Sequence, residues 1–96
     1  MSDYKISVVA KNDLRGIFLY SYKEFGLSQA ENYIMQLENA IEKLSKSPEI
    51  GKQRKDLKIG LYSIPEMEHL IFYRIYTKHI KIVRILHSSR DIKNFL

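Results

Sequence analysis

The chain has 96 residues, of which 45% are hydrophobic and 28% charged, with a formal net charge of +5 and a sequence pI of about 9.5. A chain of this length and composition fits one globular domain over residues 1–96. Because cysteine is absent, disulfides and thiolate chemistry are excluded, and a reducing cytoplasm is the expected location. No run approaches the roughly 20 apolar residues of a membrane span, so no membrane partner is expected.

The positive charge is concentrated in the second half of the chain. Residues 1–45 contain five Lys or Arg against six Asp or Glu, whereas residues 46–96 contain eleven against five. Such a field favours an anionic partner: nucleic acid, an enzyme that acts on nucleic acid, or an acidic protein. The alternative, that the charge only keeps a small protein soluble, stays open at this point.

The first half predicts a strand and two helices. Residues 5–9 are β-branched and partly alternating, which indicates a strand. Apolar residues at three- and four-residue steps predict a helix over about residues 11–25, ended by Gly26. The Ser-x-x-Glu pattern at residues 28–31 is that of a capping box, so a second helix begins there and ends before Pro48. The short turn between them predicts an antiparallel helical hairpin.

The second half predicts an antiparallel sheet. A polar connection over residues 49–60 carries the densest basic run. Three segments rich in Ile, Tyr, Phe and Val follow it, at residues 61–64, 69–76 and 79–87. The gap between the last two is too short for a crossover, so they form a hairpin. The predicted fold class is α+β, β-α-α-β-β-β, with the helical hairpin packed on the sheet and a short helical turn in the tail after residue 90.

Both faces of the last two predicted strands are largely apolar, although two helices cover only one face of a sheet. We therefore expect an incompletely covered apolar face, which usually marks a protein-binding surface. With strict alternation, this surface consists of Leu70, Phe72, Tyr76, Ile80 and Ile82. The alternative is that the tail and the basic loop fold across it.

Conventional enzyme sites are not indicated. The three histidines lack the short paired spacing of zinc sites, and neither a glycine-rich phosphate loop nor a nucleophile elbow is present. No metal, cofactor or small-molecule substrate is therefore expected. Acid–base cleavage of RNA stays open, because it needs only a base, an acid and cations. The side chains placed to cluster near the strand ends are Arg74, Arg84, His87 and Arg90.

The ordered set of segments resembles a known family. Residues 69–75 (HLIFYRI) and 80–87 (IKIVRILH), followed by Arg90-Asp91, are similar to the C-terminal half of the ParE toxins of the ParE/RelE superfamily. The earlier segments that resemble this family are residues 10–14 with Ile17 and Tyr20, the turn at Gly26 with Ala30 and Tyr33, and residues 47–51.

This resemblance implies the fold predicted above and a toxin of a type II toxin–antitoxin system. A cognate ParD-like antitoxin would wrap a disordered segment across the toxin in a hetero-oligomeric complex. ParE members poison DNA gyrase, whereas RelE members cleave messenger RNA in the ribosome with a set of basic residues. Here His69 stands about where RelE-type enzymes carry a catalytic Arg, and their typical terminal Tyr is missing. These departures favour the ParE branch.

Three functional hypotheses follow from the resemblance. The first is a gyrase poison without catalytic residues, whose predicted target contacts are Arg84, His87, Arg90 and Lys93. The alternative is a ribosome-dependent mRNA endonuclease that uses His69, Arg74, Arg84 and His87. The third is a degenerate member that binds its partner without being toxic.

Overall fold

The computed structural model describes residues 3–96 and has two helices packed on one face of a five-stranded sheet. The elements are β1 (Tyr4–Ile6), α1 (Val8–Phe25), α2 (Leu27–Lys46), β2 (Lys52–Gln53), β3 (Tyr62–Glu66), β4 (His69–Ile75) and β5 (Ile80–His87), with 3-10 turns at Pro48–Ile50 and Ile92–Asn94. The α+β class, the helical hairpin and the short turn in the tail are confirmed. Within residues 3–96, no helix is long and apolar enough to cross a membrane.

The sheet is mixed rather than wholly antiparallel. Its strand order is β1-β5-β4-β3-β2. β1 runs parallel to β5, and every other neighbouring pair is antiparallel. The predicted polar connection contributes the short edge strand β2, which pairs with β3.

The first strand is shorter than predicted because Ser7 begins the first helix. Its Oγ accepts a hydrogen bond from the backbone N of Ala10 at 3.0 Å and donates one to the carbonyl of Val83 at 2.9 Å. A serine in this position satisfies a backbone N–H that the first helical turn leaves unpaired. Val8 and Val9 are therefore helical, and the strand predicted over residues 5–9 is wrong beyond Ile6.

Gly26 both ends α1 and begins α2. Its φ of +93° is a conformation that favours glycine, and its N donates to the carbonyl of Tyr22 at 2.9 Å. The helix end at Gly26 is confirmed. The capping box at residues 28–31 is wrong, since α2 already begins at Leu27 and no side chain caps it.

The main hydrophobic core lies between the helical hairpin and the sheet. Its fully buried members are Ala10 from α1, Leu37, Ile41 and Leu44 from α2, and Ile71, Tyr73, Ile80 and Ile82 from the sheet, with Ile85 almost fully buried. The first half of the chain thus supplies the apolar side of the helices and the second half the facing side of β4 and β5.

The prediction of an uncovered apolar surface on the sheet is wrong. Phe72, Ile80 and Ile82 are each 0% exposed. Ile80 and Ile82 face the helices. Phe72 lies on the opposite face in a second cluster with Leu61 and Leu86, against which the remaining partly buried members pack: Leu57, Leu70, Val83, Ile92 and Leu96. The basic loop and the tail therefore cover this part of the second face, which confirms the alternative interpretation that they fold across it. Of the five predicted residues, only Tyr76 is exposed.

Candidate functional site

Two histidines face each other where β4 begins and β5 ends. His69 pairs with His87 in the strand register, and their ring centroids lie 5.2 Å apart at 79°. The pairing depends on a β-bulge, because Tyr73 pairs with Ile82 while Phe72 pairs with Arg84, which leaves Val83 unpaired. One extra residue in a strand shifts the register beyond it. Without it, His69 would face Leu86 instead.

His69 also contacts the second helix. The Tyr33 hydroxyl lies 2.8 Å from Nδ1 of His69, within hydrogen-bonding distance. Burial, and secondarily the neighbouring His87, lower the pKa of His69, while burial raises the pKa of Tyr33. His69 is therefore neutral at pH 7 and Tyr33 keeps its proton, so one ring nitrogen of His69 is free to accept a hydrogen bond.

His87 is held by the segment that follows β5. Its Nδ1 accepts a hydrogen bond from the backbone N of Ser89 at 3.1 Å and lies 2.7 Å from the Ser89 Oγ. A neutral His87 consequently carries its hydrogen on Nε2, which lies 3.7 Å from Oε2 of Glu68. The ring is partly exposed and is available to a partner from the open side.

Arg84 is tied into the chain. Its guanidinium donates to both carboxylate oxygens of Asp13 at 2.9 Å and to the backbone carbonyl of Phe95 at 2.9 Å. The hydrogen bond to Asp13 is the main reason why the pKa of Arg84 is raised. The guanidinium of Arg90 lies 4.9 Å from the centroid of the Phe95 ring, a cation–π contact.

An open groove of about 610 Å³ runs between the helical hairpin and these strand ends. Tyr20 and Phe25 line its helical side, and the two histidines line its sheet side. Both aromatic side chains are exposed. The groove therefore combines an apolar wall with a wall of polar and cationic groups.

The structure brings most of the predicted site residues together. Those that line the groove are His69, Arg84, His87 and Arg90. Lys93 is exposed on the 3-10 turn of the tail. Arg74 does not line the groove; it pairs with Lys81 toward the opposite end of β4, so the four predicted endonuclease residues do not form one cluster. Within residues 3–96, no group of three or more His, Cys, Asp or Glu is arranged to hold a metal ion.

Four polar residues of this groove are not marked as site residues by any pattern in the sequence. Tyr33 carries the spacing of a core residue on α2, and Asp13, Glu68 and Ser89 are single polar residues without a motif. The one signal in the sequence is the hairpin, which brings the start of β4 and the end of β5 together whatever the register. The partners from the helices depend on tertiary packing that no local pattern encodes.

Comparisons with known proteins agree with this architecture. The family model described as ParE toxin of type II toxin-antitoxin system, parDE, matches residues 4–92. Toxin ParE1 of Caulobacter vibrioides is 32% identical over 96 residues, which cover 100% of this chain and 99% of that protein. Toxin ParE1 of Mycobacterium tuberculosis is 32% identical over 92 residues, which cover 95% of this chain and 94% of that protein.

A solved structure of the chromosomal ParDE TA system from P. aeruginosa matches with a TM-score of 0.79 at 20% identity. The match covers 93% of this chain and 98% of that one. At this identity the likeness shows the fold, whereas the family model and the relatives that are 32% identical over nearly the whole chain show the family. The chain therefore belongs to the ParE toxins of type II toxin–antitoxin systems.

Proposed function

We propose that the chain is a non-enzymatic toxin that inhibits DNA gyrase and is neutralised by a cognate antitoxin. The sequence resemblance connects the ParE branch of the superfamily with gyrase poisoning, and the family match falls on that branch. The hydrogen bonds that Arg84 makes within the chain also favour binding over catalysis.

The observation that carries the proposal is that the Arg84 guanidinium is already hydrogen-bonded within the chain. A ribonuclease needs cations that are free to stabilise the charge developing on phosphate. The Arg84 guanidinium instead binds Asp13 and the carbonyl of Phe95, and its side chain is only 19% exposed. Arg74 lies away from the histidines. This geometry supports a site that binds a macromolecule.

The predicted target contacts divide into one structural and three accessible residues. Arg84 positions α1 and the tail, so we assign it an indirect role. His87, Arg90 and Lys93 are at least partly exposed along β5 and the tail. Arg90 lines the groove that also contains the apolar wall of Tyr20 and Phe25. An exposed cation beside apolar side chains suits contact with an acidic protein surface.

The test is supercoiling of relaxed plasmid by purified gyrase in the presence of the purified chain. We expect inhibition with accumulation of cleaved DNA, and we expect the variant Arg90→Gln/Lys93→Gln to need an about tenfold higher concentration. The matched control, Lys11→Gln/Lys43→Gln, removes the same charge from the exposed surface of the helices. Full supercoiling at saturating toxin would reject gyrase as the target.

For the antitoxin we propose a site at the turn between the helices rather than on the sheet. Phe25 is 65% exposed, and the apolar residues close to it in sequence, Tyr20, Tyr22 and Leu27, are also exposed. Exposed apolar residues grouped in this way suit a partner that brings an apolar segment. The structure of the P. aeruginosa relative is of a ParDE system, which supports an antitoxin as that partner.

Calorimetric titration with a ParD-like antitoxin tests the position of that site. We expect Phe25→Ser to weaken binding at least about tenfold, because it removes a large apolar contact. Ile59→Ser is the matched control, since Ile59 is 85% exposed on the loop before β3. Equal affinities for both variants and the unchanged chain would place the antitoxin elsewhere.

One specific observation favours the endonuclease alternative. His69 and His87 face each other, and a neutral imidazole beside a second titratable one suits acid–base catalysis. Primer extension on translated messages tests it: toxin-dependent cuts that His69→Gln and His87→Gln abolish would favour this alternative. Intact messages together with inhibited gyrase would reject it.

A further inference from the structure

Three cations lie side by side on the second face of the sheet, away from the histidine groove. Lys5 on β1 pairs with Lys81 on β5, and Lys81 pairs with Arg74 on β4. Lys58, from the loop before β3, lines the same groove as Lys81 and Arg74. We call Lys5, Lys81, Arg74 and Lys58 the cation row.

The neighbours of these residues place the three strand members on one face. Tyr4 and Ile6, Ile80 and Ile82, and Tyr73 all pack in the core beneath the helices. Since side chains alternate along a strand, the residues between or beside them point to the opposite face. The loop and the tail cover that face around Phe72 and extend to Arg74, which is partly buried, whereas Lys5 and Lys81 are exposed.

Such a row opposes folding. Like charges directly opposite each other on neighbouring strands are destabilising. Around Arg74 and Lys81 the sequence offers no carboxylate, because residues 69–90 contain five Lys or Arg and no Asp or Glu; the acidic residues nearest in sequence to the other two cations are Asp3 and Asp56. None of the ion pairs within residues 3–96 involves the cation row. Arg74 donates a hydrogen bond to the backbone carbonyl of Ile59 at 3.0 Å, which is a neutral acceptor. An anionic ligand would remove this repulsion.

Aromatic rings lie beside the cations. Tyr76 and Phe95 line the groove of about 400 Å³ that contains Lys58, Arg74 and Lys81. The Tyr76 ring is stacked on His79, with centroids 5.1 Å apart and planes at 14°, and Tyr76 is 45% exposed. The pair presents a flat surface next to a line of positive charge.

We propose that the cation row binds the phosphate backbone of single-stranded nucleic acid, with a base stacked on Tyr76. Neighbouring strands lie about 4.8 Å apart, so the row offers regularly spaced charges to a regularly charged backbone. A groove that tracks phosphates together with an exposed aromatic platform is the arrangement that single-stranded nucleic acids require. An acidic peptide would use the charges but not the ring. The proposal does not depend on gyrase being the target.

Fluorescence anisotropy of the full chain with a labelled mixed-sequence DNA strand of about 20 nucleotides tests the proposal. Parallel titrations use RNA of the same sequence, the corresponding DNA duplex, and a poly-glutamate peptide. We expect both single strands to bind, with the stronger of the two identifying the natural class. Binding should weaken steeply between about 50 and 200 mM salt, with a log–log slope of about −2 to −3 for three or four phosphate contacts.

Two variants separate the charges from the ring. Lys81→Gln should lower the affinity about three- to tenfold and reduce the salt slope by about 0.7. Tyr76→Leu should weaken binding of single strands while leaving the salt slope unchanged. Lys43→Gln, an equal charge change on exposed α2, should have no effect. Thermal melts of each variant establish that it is folded.

The proposal is overturned by any of three results. The first is that single strands do not bind at low salt. The second is that Lys81→Gln and Lys43→Gln change the affinity equally. The third is that poly-glutamate binds as tightly as the nucleic acids and that Tyr76→Leu does not weaken binding. The last result would identify an acidic protein as the ligand of the cation row. Gyrase inhibition that persists in Lys81→Gln would leave the proposed function intact in every case.

Discussion

Asp13 on α1 and Arg84 on β5 form a two-pronged ion pair that fastens the first helix to the last strand. Both N···O distances are 2.9 Å, and Asp13 also accepts a hydrogen bond from the backbone N of Ile85 at 3.0 Å. The side chains are only 13% and 19% exposed. Arg84 reaches the tail as well, through the carbonyl of Phe95, so one side chain connects three parts of the fold.

Removing Asp13 should destabilise the chain substantially. Asp13→Ala leaves a largely buried guanidinium and a backbone N–H without their acceptor, which we expect to cost about 2 to 4 kcal/mol in free energy of unfolding. Urea denaturation measures the change. The control Glu42→Ala breaks the exposed pair with Lys46 and should stay within about 0.5 kcal/mol. Similar losses for both variants would contradict the structural role assigned to Arg84.

The histidine pair should make the stability depend on acid pH. Burial and His87 lower the pKa of His69 in the folded chain, whereas the pKa of an unfolded histidine is about 6.5. Below that pH the unfolded chain binds a proton that folded His69 does not, so the free energy of unfolding falls as the pH decreases from about 6.5 toward the lowered pKa.

Urea titrations from about pH 7.5 to pH 5 measure this dependence. His69→Gln should flatten the curve over that range. His79→Gln, which removes a histidine from the turn between β4 and β5, should keep it because His69 remains. A curve that is equally steep in His69→Gln would show that other groups cause the acid sensitivity.

Much of the fold follows from the sequence because its signals are local. Apolar spacing identifies both helices, Gly26 marks the turn, and β-branched runs identify β4 and β5. The sheet faces were predicted less well, for a physical reason. The extra residue Val83 reverses the alternation along β5, so Ile82 and Ile85 face the same side. The sequence Val83-Arg84 contains no signal that predicts a β-bulge.

The candidate site was predictable only in part. His69 and His87 meet because the hairpin must bring their strand ends together, and the bulge adjusts them to face each other. Tyr33 and Asp13 join from the helices through packing between distant segments. The burial of Phe72 likewise depends on Leu57 and the tail, whose positions no periodicity in a polar loop indicates.

A buried tyrosine should make the chain sensitive to alkaline pH. The Tyr73 hydroxyl donates to the carbonyl of Pro48 at 2.6 Å, and burial raises its pKa to about 12. Tyr73→Phe should cost about 1 kcal/mol at neutral pH through the lost hydrogen bond. Above about pH 10 the unfolded tyrosine loses its proton before the folded one, so the free energy of unfolding falls with rising pH.

Denaturation between about pH 9 and 11 separates these two effects. Tyr73→Phe should be less stable at neutral pH but should lose less stability on alkalinisation than the unchanged chain. Tyr22→Phe, on an exposed position of α1, should follow the unchanged chain. An undiminished alkaline loss in Tyr73→Phe would assign the titration to another group.

The cation row also predicts a stabilising substitution. Lys81 lies between Lys5 and Arg74 in the strand register, so Lys81→Gln removes two unfavourable neighbours at once. We expect the free energy of unfolding to rise by about 0.2 to 1 kcal/mol at low ionic strength. Salt screens exposed charges, so added salt should stabilise the unchanged chain more than Lys81→Gln, whereas Lys43→Gln should respond to salt like the unchanged chain. If Lys81→Gln is destabilising at low salt, the three cations do not repel one another as their register implies. In that case charge repulsion gives no reason to expect an anionic ligand on the cation row.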